Sequence, residues 1–250
     1  MNLLPMLSAI TLASGWIGAP DCNIRESLSF TQNANGDEAV ASKNRTVCID
    51  PGHPSEVNSG NAVQNGTTET HIDWAVAKKL QKLLVSKGFR VVMTKNHESQ
   101  LVRNRNRAQI ANRAKAGLMV RLHCDTGNDR GFALYYPDRT GTISGMTGPG
   151  ENVRLQSRKA AENLAEAMEK ELGGDLKSGG VRGDSKTFVG GKQGALTGSV
   201  FSKVPVVTIE MVTLSRSADA IFIKSEAGQN KMAQAIANGV ESFLMRSSNK

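Results

Sequence analysis

Aromatic residues make up only 4% of this 250-residue chain. That is too few for a protein whose binding rests on stacking bases or sugar rings against aromatic platforms. Cysteine is scarce too: Cys22, Cys48 and Cys124, with no CxxC pair among them. An odd, low count of this kind builds neither a disulfide framework nor a cysteine zinc site. Cys48 lies in one apolar run and Cys124 directly follows another, so both read as small buried side chains with free thiols. Nothing favours a bridge between them. No apolar run approaches the roughly 20 residues that a membrane-spanning helix needs. The stretch from Met1 to Ala13 is too short and too broken for one. It ends in small residues and has the apolar character of a secretion signal, although no Lys or Arg precedes it. Repeats, low-complexity tracts and nucleic-acid-binding motifs are missing as well.

What remains is an ordinary globular composition, 39% hydrophobic and 22% charged. A single domain of roughly 200 residues buries enough surface to fold without staples. The net charge of +8 attracts polyanions: nucleic acid, acidic membranes or anionic cell-wall polymers. Its densest cluster, Arg103 to Arg107, falls where a helix begins and reads as a solvated helix face. With no motif around it, a nucleic-acid partner rests on charge alone. Residues from about Pro20 to Asn44 are polar, with few aliphatics, and read as a linker. This divides the chain into a leader and linker over 1–44 and one folded domain over 45–247.

Within that domain strand and helix patterns alternate. Thr46–Ile49 is a β-prone run closed by the turn Asp50-Pro51-Gly52. Ile72, Val76, Leu80 and Leu83 recur at helical spacing, and Gly88 stops that helix. Phe89–Met93 is a second strand. Leu101, Ala108, Ala111 and Ala114 mark a second helix ending at Gly117. Leu118–Leu122 and Phe132–Tyr136 are further strands. Asp138 to Gly150, rich in Gly and Thr, reads as a long loop. Leu164, Met168 and Leu172 lie on a third helix, Val204–Ile209 on a strand, and Met232, Ile236, Val240 and Phe243 on a closing helix. Strand–helix–strand alternation with short connections predicts a single α/β domain, a largely parallel twisted sheet with helices on both faces. Sites in such sheets form beyond the carboxyl ends of the strands.

The chemistry-bearing residues fall there. His53 follows the first strand, Glu69 lies in the loop leaving it, His123 ends the third and Glu210 ends the strand that starts at Val204. Two imidazoles and a carboxylate are the usual ligand set of a catalytic zinc with one open position. A further carboxylate then handles the proton of the attacking water. Glu210 follows an apolar run and is costly to bury without a cation. His71 and His97 read as loop residues, although His71 lies close enough to Glu69 to compete as a ligand. Asp50 and Asp125 flank the two histidines as candidate acceptors that orient them, or as turn caps.

These residues resemble the zinc-dependent N-acetylmuramoyl-L-alanine amidases, which cleave bacterial peptidoglycan. Val-Cys-Ile-Asp-Pro-Gly-His, ending at His53, is similar to the family's opening strand and first ligand. Asn65-Gly66-Thr67-Thr68-Glu69 resembles the segment bearing its glutamate ligand. Arg107 to Asp125 resembles its helix, third strand and second histidine, and Pro205 to Met211 its final strand. The resemblance spans Arg45 to Leu244 and implies Zn2+ on His53, Glu69 and His123, with Glu210 catalytic. It implies hydrolysis of the amide joining the lactyl group of muramic acid to the first L-alanine of the stem peptide. Three departures stand out: Pro54 in place of a glycine, Arg121 in place of a small residue, and a loose match over Met211–Arg216. Peptidoglycan is then the partner, with a regulatory protein left open, and the location is the periplasm or cell-wall space. The rival readings are a zinc peptidase acting on another amide and a non-catalytic peptidoglycan-binding module of the same fold.

Overall fold

A computed structural model describes residues 44–246; the leader and nearly all of the linker lie outside them. The central sheet has six strands: β1 (Thr46–Pro51), β2 (Arg90–Met93), β3 (Leu118–Asp125), β4 (Phe132–Tyr136), β7 (Ser178–Gly183) and β8 (Val206–Thr213). Their order is β2-β1-β3-β8-β4-β7. β2, β1, β3 and β8 run parallel; β4 is antiparallel to β8, and β7 follows β4. The sheet is thus largely parallel, with a reversed pair at one edge.

Alternation along the strands sends successive side chains to opposite faces. On one face Val47, Ile49, Leu118, Val120, Leu122, Val207 and Ile209 join the main core. It is completed by helices α1 (Glu69–Ser86), α3 (Glu151–Leu172) and α7 (Glu226–Arg246). The other face holds a much smaller core, Cys48, Met119 and Val206 against Ala111 of α2 (Asn104–Arg113). Helices therefore lie on both faces, as expected. On this second face the next positions along the same strands are polar: Asp50, then Arg121 and His123, then Thr208 and Glu210. The apolar core ends there and a polar face begins.

Several local expectations need correction. α2 starts at Asn104, so Leu101 precedes it and is exposed. Two strands run further than expected, to Asp125 and Thr213, because Cys124, Met211 and Val212 are buried in the main core. Residues 138–150 are not only loop: β5 (Gly141–Ile143) and β6 (Met146–Gly148) pair as a hairpin. β7 and the short helices α4 (Phe188–Gln193), α5 (Thr197–Val200) and α6 (Ser217–Lys224) were not expected. Cys48 and Cys124 are both free and buried.

Candidate metal centre

His53 leaves β1 through a tight turn. Its backbone adopts φ +42°, a left-handed conformation that non-glycine residues seldom take and that tends to occur at functional sites. The loop after it curls back around the imidazole. Gly60 packs against the ring so closely that a Cβ there would lie 2.5 Å from His53 Cγ. The backbone N–H of Thr70 donates to Gly60 O, and the Thr70 hydroxyl donates to Ser59 O at 2.8 Å. These bonds tie the loop to the first turn of α1, where Thr68 caps the helix by accepting from the His71 N–H. Glu69, the next residue, points its carboxylate at the two imidazoles.

Glu69 Oε1 lies 3.1 Å from His53 Nε2 and 3.0 Å from His123 Nδ1. One ligand atom from each of the three residues falls within 4.8 Å of the others, and among the described residues they form the only group of this kind. The second nitrogen of His53, Nδ1, lies 3.1 Å from the carbonyl of Asn58, which sets the ring's orientation. Burial pushes the Glu69 carboxyl up, but hydrogen bonds from His123 and His53 outweigh it and bring it down to about 2. Burial lowers the His123 pKa. An ionised carboxylate beside neutral imidazole is the protonation state a divalent cation requires, so the donor set fits zinc.

Glu210 faces His123 across the β3–β8 ladder. Its Oε2 is buried with no hydrogen-bond partner. Burial, then the charges of Glu69 and Asp125, hold its carboxyl well above the usual range. Two carboxylates of one cleft are thus driven apart, one to the anion and one toward the acid. The cleft itself has a volume of about 480 Å³, and His53, Glu69, His123 and Glu210 all line it.

Among the described residues, neither Asp50 nor Asp125 hydrogen-bonds a histidine. Asp50 accepts from Thr94 Oγ1, from Arg107 Nη1 and from Arg121 Nε. Asp125 accepts the backbone N–H groups of Thr126 and Gly127, the turn-capping alternative. His71 pairs with Glu98 at 3.3 Å on the surface and stays out of the metal group. Glu56 accepts the Asn104 N–H at 2.9 Å at the start of α2. The reading of Arg103 to Arg107 as a solvated face fails at Arg107, which is 1% exposed. Its guanidinium spans Asp50 and the carbonyls of Val102, Pro51 and Pro54, fastening α2 to the turn that carries His53.

Two supporting residues escape a reading of the sequence. Lys95, buried after β2, donates to the carbonyls of Gly52, His53 and Glu98. Asp73, one turn after Glu69 on α1, is completely buried; burial, then Glu69 and Glu210, raise its pKa. Its spacing of four from Glu69 was the available signal.

A family model described as N-acetylmuramoyl-L-alanine amidase matches residues 47–242. The uncharacterized protein YqiI of Bacillus subtilis is 28% identical over 86% of this chain and 93% of its own length. The N-acetylmuramoyl-L-alanine amidase LytC of the same organism is 26% identical over 79% of this chain, a match that spans 35% of LytC. Among solved structures, the N-acetylmuramoyl-L-alanine amidase AmiC2 of Nostoc punctiforme superposes with a TM-score of 0.64 at 23% identity, covering 80% of this chain and 97% of that one. That likeness is one of fold.

Proposed function

The chain belongs to the N-acetylmuramoyl-L-alanine amidase family, and from that premise we propose that it binds Zn2+ through His53, Glu69 and His123 and uses Glu210 to move the proton. Members of the family hydrolyse the amide between the lactyl group of muramic acid and the first L-alanine of the peptidoglycan stem peptide. The observation that carries the zinc proposal is the convergence of His53 Nε2, Glu69 Oε1 and His123 Nδ1 within 4.8 Å.

A zinc ion bound by these atoms supplies a Lewis acid and lowers the pKa of a coordinated water to about 7. The chain's own residues do the rest. Asn58 O and the backbone around Gly60 hold the His53 ring in place. Glu210, across the ladder from His123, has a free carboxylate oxygen buried in the cleft wall. It takes the proton of the attacking water at that oxygen and returns it to the leaving amine.

Metal analysis of three proteins tests this. The wild type should carry about one zinc per chain and lose activity on chelation. His53→Ala should lose zinc and activity together. Glu210→Gln keeps the shape but cannot take a proton, so turnover should fall roughly 10²–10⁴-fold with zinc content unchanged. A Glu210→Gln protein stripped of zinc would make this carboxylate a ligand, and an active metal-free wild type would remove zinc from the account.

A further inference from the structure

The sheet face that carries His123 and Glu210 continues inward through two more polar residues. Arg121 precedes His123 by two on β3, and Thr208 precedes Glu210 by two on β8; the register pairs Arg121 with Thr208 and His123 with Glu210. Side chains two apart on a strand share a face about 7 Å apart. All four line the same cleft.

Arg121 is 4% exposed, and a buried guanidinium is costly unless its charge and donors are answered. Its Nε donates to Asp50 Oδ2 and its Nη2 to Asn104 Oδ1, each at 2.9 Å. A guanidinium has five N–H donors, so donors remain. Nor does it have a carboxylate to itself: Asp50 also bonds Arg107 at 2.7 Å, while the buried Asp184 and Glu210 feel its charge and each keeps a carboxylate oxygen with no hydrogen-bond partner. The other donors of Arg107 go to backbone carbonyls. One carboxylate therefore hydrogen-bonds two guanidiniums, and the spare N–H donors sit on Arg121. Beside it the Thr208 hydroxyl is 3% exposed and has no hydrogen-bond partner. Gly198 of α5 lies against the guanidinium so closely that a Cβ there would be 2.8 Å from Arg121 Cζ. Unused guanidinium N–H donors and a partnerless hydroxyl on one desolvated wall suit a carboxylate.

The stem peptide carries such a group at the matching distance. Its second residue is joined through the side-chain carboxyl, which leaves the α-carboxyl either free or converted to the carboxamide. Two residues of extended chain span roughly 7 Å, the step from His123 and Glu210 to Arg121 and Thr208. We infer that Arg121 and Thr208 form a subsite for this α-carboxylate, so that the chain selects stem peptides with a free acid at the second residue over those with a carboxamide. The inference rests on the amidase reading.

Paired muropeptides, identical except for acid or carboxamide at the second residue, test it through kcat/KM. A charge-assisted pair predicts a preference for the acid of roughly 10- to 100-fold in the wild type. Arg121→Gln should collapse the ratio. Thr208→Val, which removes the hydroxyl at constant shape, should lower it several-fold, mainly through KM for the acid. Equal rates on both substrates would overturn the subsite while leaving the amidase reading intact. A purely structural role would slow both substrates alike at an unchanged ratio in Thr208→Val, and this too would overturn it. Cleavage of neither substrate by zinc-loaded wild type would overturn the amidase reading and the subsite together.

Discussion

Asp50 is completely buried between the guanidiniums of Arg107 and Arg121 and the hydroxyl of Thr94. Burial alone would raise its pKa, but Arg107 and then Arg121 override this and hold the carboxyl far below the usual range. A depressed folded pKa stabilises the protein above the unfolded value, near 3.9, and that contribution is lost as pH falls below it toward the folded pKa. Asp50→Asn removes the anion and leaves two buried cations facing each other, at a cost of about 3–5 kcal/mol. Thermal melts of wild type and Asp50→Asn should therefore differ widely at neutral pH and converge as pH drops below about 4. A gap that stays constant with pH would show that the carboxylate's charge is not what holds this network. His53, Glu69, His123 and Glu210 could be picked out from their residue types and their places after strands. Arg107 and Lys95 could not, because burial of a charge is decided by its partners. Arg107 and Asp50 stand 57 positions apart, and Lys95 reaches carbonyls 42 and 43 positions away. Nothing local marks such pairs, so an arginine in a run of charges looked solvated.

At the level of elements, the turn that leaves β1 controls the metal geometry through space rather than charge. Gly52 sits where a Cβ would lie 2.5 Å from Asp73 Oδ2 and 2.7 Å from His123 Cε1. Neither can retreat freely: Asp73 is fully buried, and the His123 ring is fixed against Glu69. Gly52→Ala should push the imidazole off its line, weakening zinc affinity roughly 10-fold or more. Overpacking should also cost about 1–3 kcal/mol of stability. Competition with a chromophoric chelator measures the first effect and a denaturant melt the second. Unchanged zinc affinity in this variant would show that the β1 turn does not set the ligand geometry. The strands and helices with strong apolar periodicity were legible to within a few residues. β7 was not, because Ser-Gly-Gly-Val-Arg-Gly is a half-buried edge strand with hardly an apolar residue to alternate. The β5–β6 hairpin hid for a related reason: its strands are three residues each, and its turn is the Ser144-Gly145 pair, both at positive φ.

For the whole molecule, the cleft is built on the face with the lesser of the two cores. A peptidoglycan substrate lies outside the cytoplasm, and we propose that the chain is exported there. Cell fractionation should recover it from the periplasm or wall space, shortened at its N-terminus; full-length protein found only in the cytoplasm would contradict export. Mass spectrometry of purified peptidoglycan digested by the zinc-loaded protein should show free stem peptides beginning with an N-terminal L-alanine, and glycan chains whose muramic acid has regained its free lactyl carboxyl. Chelated protein should release none. Stem peptides still attached to muramic acid after digestion, or fragments opened at another amide, would contradict the account.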